Sequence, residues 1–367
     1  MSHSTGIVLF FVNYYPPHVG GLERYVEGLA RALVQVSEYE IHVITHRDHP
    51  DLPDVEVTGD GVCIHRIDAV LSVADVFCVP HPIQLWRVLR GFSKSRIRGV
   101  SIHTRFFPIS LIGAFCGRWW GTKVVFTEHG SDHVRFPSSR MIEWVSRVYD
   151  WTLGRLTIAL ASIQSGSSKS AASFAARLGG KNVRVLENAV NIEFWSQMGG
   201  GPHDHFVYVG RIASGKGWDI AVKAHQSQES EFRKRYPLIL IGDGAEATAL
   251  MALIKGDPHI HFLGTQGQEV IRTHLHRAVT LNPTQLSEGL QTILIEAAAS
   301  QSWILSSPTL EAVRLLNHGF GECVTTDWAK AMRESIHKQP IPGSQLKLAH
   351  YSWKNRAETF LKWLGEA

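Results

Sequence analysis

The stretch "FVYVGRIASGKGWD", residues 206–219, decides how the chain is divided. A short apolar run, "FVYVG", is followed by a loop carrying Arg211 and Lys216 beside Gly215 and Gly217, and then by a helical pattern near 218–230. That is a strand, a glycine-bearing loop and a helix, the opening unit of a parallel βαβ sheet. Downstream the pattern continues. "LILIGDG" (238–244) leads to a helix near 245–255, a short strand "IHFLG" (260–264) to a helix near 267–277, and "AVTLNP" (278–283) to "SEGLQTILIEAAA" (287–299) and the strand "SWILSS" (302–307). Upstream lies a loop rich in glycine and histidine, "QMGGGPHDH" (197–205), before which the same grammar has already run once.

That first run starts with "GIVLFFV", then a loop, then the amphipathic "LERYVEGLARALVQ". Strands follow at "YEIHVITH" (39–46), "VCIHRI" (62–67) and "KVVFTEH" (123–129), with helices at roughly 109–119 and 139–154. The chain therefore reads as α/β, with two doubly wound domains facing a central cleft bordered by the carboxyl ends of both sheets. Its 367 residues exceed what one hydrophobic core usually serves.

Composition narrows the function classes. A content of 44% hydrophobic and 19% charged residues is globular, and a net charge of +4 is too mild to indicate nucleic acid. Cys63, Cys78, Cys116 and Cys323 lack CxxC spacing, which argues against a zinc site or disulfide scaffold and fits a reducing cytosol. The N-terminal apolar run is too short to span a bilayer, and "FFPISLIGAFCGRWWG" (106–121) is interrupted by Pro108, Gly113, Gly117 and Arg118. Any contact with membrane is expected from the surface.

Several residues carry candidate chemistry. Gly20 and Gly21, between the first strand and its helix, let backbone approach a ligand and leave helix N–H groups for an anion. Arg211 and Lys216 at a helix entrance suit a diphosphate whose charge grows as it leaves; the Walker pattern GxxxxGK[ST] is absent. "TEHGSDHV" (127–134) offers His129, Asp132 and His133, with His129 expected as a hydrogen-bonding group at a strand end rather than a metal ligand. No DxD triplet occurs to hold a metal-bridged nucleotide sugar. Glu288 precedes the helical run of "SEGLQTILIEAAA" and Glu296 lies about two turns along it, some 10 Å away. Two carboxylates at that spacing match two hydroxyl-rich groups at the ends of an anionic bridge, although a buried structural partner would also explain Glu296.

In order along the chain, "YYPPHVGGLERYV", "TEHG", "VLENAVNIEFW", "GRIASGKGWD", "IGDG", "SEGLQTILIEAAA" and "YSWKNRAETFL" resemble the motifs of the family 4 retaining glycosyltransferases of GT-B fold. The resemblance implies a glycine loop at Gly20 and Gly21 near the donor phosphates, and His129 near the donor sugar. It assigns the diphosphate to Arg211 and Lys216, the donor sugar to Glu288 and the ribose to Glu296. It further implies domains over 1–190 and 191–345, a C-terminal helix (346–367) crossing back onto the N-terminal domain, and no metal or other cofactor. The family's glycine-rich run after the first glutamate is "EGLQ" here, so Gln291 stands beside the expected sugar, and "SQSWILSSP" places a bulky Trp303 in the next strand.

The implied activity is transfer of a sugar, with retention, from a nucleotide diphosphate sugar to a hydroxyl of a glycan or lipid-linked acceptor. Its expected setting is bacterial surface polysaccharide, lipopolysaccharide or glycolipid synthesis at the inner face of the plasma membrane. The basic run "WRVLRGFSKSRIRGV" (86–100) is a candidate contact with anionic lipid, or else a solvated helix face. A nucleotide-sugar epimerase of the same fold and a non-catalytic sugar-nucleotide or glycan-binding protein are the rival readings.

Overall fold

The computed structural model describes residues 6–18, 20–73, 77–134, 140–198, 201–286 and 291–365. The chain forms two compact units, one of residues 1–189 with 353–367 and one of residues 190–352.

The first unit is built on an eight-stranded sheet. Its strands are β1 (Gly6–Phe11), β2 (Tyr39–His46), β3 (Val55–Val57) and β4 (Cys63–Ile67), with a separate two-stranded ribbon of β5 (Ala69–Val73) and β6 (Phe77–Pro80). The chain returns to the sheet as β7 (Ile97–His103), β8 (Lys123–Glu128), β9 (Ile163–Gly166) and β10 (Arg184–Val185). The order is β10-β9-β8-β7-β1-β2-β4-β3, parallel throughout except for β3 on β4. Central β1 is buried along its whole length, which is why it is written as an unbroken apolar run.

Residues 353–367 belong to this unit. Helix Trp353–Leu364 lies on helix Gly21–Val36 and contributes Ala357, Phe360 and Leu364 to a core that also holds Val8, Phe10 and Leu29. Phe360 stacks on Phe10 with ring centres 6.0 Å apart, and Arg356 donates from Nε to the Glu187 carbonyl at 2.9 Å. The preceding residues Ser344–Tyr351 form a 3-10 helix that belongs to the second unit, so the returning helix starts at Trp353.

The second unit has six parallel strands: β11 (His205–Val209), β12 (Leu238–Ile241), β13 (Ile260–Phe262), β14 (Ala278–Asn282), β15 (Trp303–Ser306) and β16 (Gly321–Cys323). Their order, β13-β12-β11-β14-β15-β16, reverses direction at β11 and β14, the switch point beside which doubly wound sheets bind ligands. Loops leaving β11 and β14 therefore stand together at the carboxyl edge.

Two expectations change. The basic run 86–100 is not one helix face: it crosses helix Pro82–Leu89, a 3-10 turn Lys94–Arg96 and strand β7, where Arg98 sits. The helix expected over 139–154 is a longer rod, Arg140–Tyr149 and Arg155–Leu160, joined by a π-helical turn at Asp150–Gly154.

Candidate functional site

At the carboxyl edge of the second unit, the loop from β11 carries the two cations. Arg211 is exposed and Lys216 half-buried. The Tyr208 hydroxyl reaches the carbonyls of both residues, at 3.1 and 3.4 Å, so one phenol ties the two ends of the loop. Gly217 starts helix Trp218–Gln226 with φ of 81°, and a Cβ there would lie 2.0 Å from the Pro283 carbonyl oxygen. Only glycine permits that backbone turn and that approach. The Gln285 N–H donates to the Gly215 carbonyl at 2.8 Å, joining the loop to the segment after β14.

Helix Thr292–Ala299 follows that segment. Leu294, Ile295, Ala297, Ala298 and Ala299 are buried, whereas Glu296 is half-buried, as are Thr292 and Ile293 at the start of the helix. Gln291 caps the helix, and its Oε1 accepts from Asn282 Nδ2 at 2.6 Å; the same Asn282 nitrogen reaches Ser306 Oγ at 2.9 Å. The glutamine standing in the family's glycine position thus has a local partner at the end of β14. Glu288, expected at the donor sugar, lies outside the described residues.

In the first unit the carboxyl ends of β7 and β8 bring His129 together with two residues that its sequence motif does not contain, Ser101 and His103. His129 follows β8, and its Nε2 is 3.1 Å from Nδ1 of His103, whose Nε2 is in turn 3.0 Å from Ser101 Oγ. Ser101 and His103 are fully buried. The Tyr25 ring packs edge-on against His129 at 4.7 Å. Burial holds the His129 imidazole down at about 3 and His103 well below the ordinary histidine range, helped for His103 by the neighbouring His129. Both rings are therefore neutral at pH 7. Their one sequence signal is "SIH" (101–103): two polar residues two apart, hence on one face of a strand buried on both sides.

The backbone that carries His129 is fastened by ions. Glu128 Oε1 accepts from the N–H groups of His129 and Gly130 at 3.0 and 2.9 Å and from Arg105 Nη1 at 3.0 Å. Arg105, 1% exposed, also donates from Nη2 to Asp150 Oδ2 at 2.9 Å, and His133 Nδ1 is 2.6 Å from that same oxygen. Asp150 is delivered by the π-helical turn, a distortion that recurs at functional sites. Between His103 and Arg105, Thr104 adopts φ of 63°, which costs a β-branched residue roughly 1–3 kcal/mol.

His129 thus turns to His103 and His133 to Asp150, so the histidines of "TEHGSDHV" do not converge. Elsewhere His42, Cys63 and His65 gather on β2 and β4, but His42 Nδ1 and His65 Nε2 are 3.0 Å apart, a hydrogen bond between the rings. Two tetrahedral ligands of one zinc ion would stand about 3.3 Å apart with both lone pairs aimed at the metal.

Gly20 and Gly21 open helix Gly21–Val36. Gly21 faces open space, while a Cβ on Gly20 would meet the Glu23 carboxylate, 2.1 Å from Oε2. Glu23 is 7% exposed and pairs with His18 at 3.2 Å. A carboxylate already occupies the positive end of this helix, which leaves Gly21 as the position open to a ligand.

The chain matches the family model described as Glycosyltransferase Family 4 over residues 19–194 and that described as Glycosyl transferases group 1 over residues 203–338. It is 24% identical over 343 residues to the uncharacterized glycosyltransferase MJ1069 of Methanocaldococcus jannaschii, covering 87% of this chain and 85% of that one. Among solved structures it resembles sucrose-phosphate synthase from Thermosynechococcus elongatus (TM-score 0.69, 14% identity, 98% of both chains). It also resembles Anabaena HepE in complex with UDP and glucose (0.68, 15%, 99% of this chain and 100% of that one). A third likeness is to the lipopolysaccharide outer core galactosyltransferase WaaB (0.63, 13%, 98% and 99%). At these identities the structural likenesses speak to fold, and that fold is GT-B. The family models span both units, and the chain belongs to glycosyltransferase family 4.

Proposed function

We propose that the chain moves a sugar from a nucleotide diphosphate sugar to an acceptor hydroxyl with retention at the anomeric carbon. The observation that carries this reading is the β11 loop, where Arg211 and Lys216 are held at a helix entrance by Tyr208 and by the Gly217 approach. In the reaction the bond from the anomeric carbon to the diphosphate oxygen breaks, its electron pair leaves with the diphosphate, and the acceptor oxygen bonds to the same carbon. The acceptor proton passes to the departing diphosphate. Arg211 and Lys216 stabilise the charge that develops there, Glu296 accepts from ribose hydroxyls, and Glu288 and His129 hold the sugar. No metal or other cofactor enters this scheme.

The acceptor we propose is a glycan or lipid-linked hydroxyl of surface polysaccharide or lipopolysaccharide synthesis, met at the cytoplasmic face of an anionic membrane. Support for membrane contact comes from the rod Arg140–Leu160, which is built inside out. Apart from Ile158, which enters the core, it buries Ser146, Asp150, Gly154 and Thr157, and it exposes Met141, Trp144, Val145, Val148 and Trp151 with Arg140, Arg147 and Arg155 among them. Helix Pro108–Trp120, packed on Arg155–Leu160, adds Phe115 and Trp119, the latter 81% exposed. Aromatic and aliphatic side chains studded with arginines suit the interface of an anionic bilayer better than water. No helix among the described residues is long and apolar enough to cross a membrane.

The test is incubation with a panel of nucleotide diphosphate sugars, with and without acceptor. Release of nucleotide diphosphate only when acceptor is present, with configuration retained in the product, is the expected result. Conversion of the donor sugar without acceptor would favour an epimerase, and binding without turnover a non-catalytic protein. Sedimentation with anionic but not zwitterionic vesicles, lost in Trp144→Glu with Trp151→Glu, tests the membrane contact.

A further inference from the structure

We propose that Ser101 and His103 form a tautomer lock that obliges His129 to present Nδ1–H, a hydrogen-bond donor, to its ligand. The geometry stands without the proposed function; the consequence for the ligand rests on that reading.

A buried hydroxyl must place its hydrogen somewhere. Ser101 is fully enclosed, and the one partner its hydroxyl has among the described residues is Nε2 of His103, 3.0 Å away. If that nitrogen carried a proton, the Ser101 hydrogen would be stranded in the core, at a cost of roughly 1–3 kcal/mol. Ser101 therefore donates, and His103 Nε2 is the lone pair. His103 is neutral, so its single proton sits on Nδ1 and is donated across 3.1 Å to Nε2 of His129. His129, neutral as well, then carries its own proton on Nδ1. The order of donors, Ser101 to His103 to His129, is set by one hydroxyl two residues from one end and closed by one ring at the other.

Nδ1 of the half-buried His129 has no side-chain hydrogen-bond partner among the described residues. Presented as N–H, it recognises an oxygen lone pair, and at the donor sugar that is a hydroxyl or ring oxygen. It takes no proton. His129 in this arrangement is a neutral electrophilic donor and not a base for the acceptor hydroxyl, whose proton must go to the leaving diphosphate. Ser101 and His103 are positioning residues: they act on the ligand through His129.

The experiment is nitrogen-15 imidazole spectroscopy of the full chain at pH 7, with the His129 signals assigned by their loss in His129→Asn. The wild type is expected to show His129 protonated at Nδ1 and bare at Nε2. Ser101→Ala removes the donor that orders the chain, and His129 should lose its single-tautomer signature; Ser101→Thr, which restores a hydroxyl, should recover it. Transfer should fall about tenfold in Ser101→Ala with nucleotide diphosphate affinity unchanged, the pattern of a lost oriented contact. A wild-type His129 protonated at Nε2, or an Ser101→Ala chain that retains the pure Nδ1–H form, would overturn the lock. The lock observed in a chain that transfers no sugar would instead remove the proposed function and leave the lock standing.

Discussion

Gly28, on helix Gly21–Val36, faces the indole of Trp353 so closely that a Cβ would lie 2.2 Å from its Cε2. The contact sets how near the returning helix can come, with Tyr25 packed edge-on to the same indole at 5.4 Å. Gly28→Ala should lower stability by about 1–3 kcal/mol through overpacking, and Gly28→Leu by more, read as a fall in the denaturant midpoint. Pairing Gly28→Ala with Trp353→Leu should recover part of the loss. Two losses that simply add would mean the helices meet elsewhere.

Arg211→Ala and Lys216→Ala should each weaken nucleotide diphosphate binding by about 1.5–3 kcal/mol, the range for charge-assisted hydrogen bonds. Calorimetric titration checks this. Both residues lie at the carboxyl edge of a sheet whose core they do not enter, so melting temperature should move little. Equal affinity in wild type and both variants sinks the assignment.

The two glutamates should separate by readout. Glu296→Gln is expected to weaken free nucleotide binding, because the half-buried carboxylate sits on the helix that follows β14. Glu288→Gln should leave nucleotide diphosphate affinity intact and depress transfer. A Glu296→Gln chain that binds nucleotide normally but melts earlier would make that residue a structural one.

Arg105 pairs with two enclosed carboxylates, Glu128 and Asp150, each at 0% side-chain exposure. Arg105→Ala removes the cation they share, leaving Asp150 to His133 and Glu128 to the backbone N–H groups of His129 and Gly130, and should cost about 3–5 kcal/mol. Because Glu128 also holds the N–H groups of His129 and Gly130, Arg105→Lys, which keeps the charge but loses the two-ended fork, should fold and yet transfer sugar poorly.

Acid should destabilise the fold through its buried imidazoles. His129 is held at about 3, His46, His65 and His225 at about 4, and His103 well below the ordinary value, burial being the leading cause in every case. Each of these groups binds a proton in the unfolded chain near pH 6.5 that the folded chain refuses. Their contribution to stability is whole above that pH and drains away as pH falls from about 6.5 toward 3–4, at up to ~1.4 kcal/mol per pH unit per histidine. Denaturation midpoints at pH 7.5, 6 and 5 should fall in that order, and less steeply in His225→Gln. A flat series would mean the rings are not buried neutral.

Much of this molecule is written in local pattern. β1 and β11 are apolar runs followed by glycine-bearing loops, and the strand, loop and helix grammar is readable because its period changes within a few residues. The two cations proposed for the diphosphate could be picked out as a pair for the same reason, since Arg211 and Lys216 share one loop. The Arg105, Glu128 and Asp150 cluster was not, because its members lie 23 and 45 positions from Arg105 and meet only when β7, β8 and a wide helical turn are in place. The rod Arg140–Leu160 misleads in another way. Its amphipathic period is correct, but the usual rule would have turned Trp144 inward and Asp150 outward.

The helix Trp353–Leu364 has a consequence in time as well as in space. The second unit is a continuous stretch of chain, 190–352, and can close its core as soon as it has been synthesised. The first unit, though begun earlier, waits for Ala357, Phe360 and Leu364, which are synthesised only after the whole of the second unit. Of the two units the one started first is therefore finished second, and until then Phe10 lacks the Phe360 ring that stacks on it.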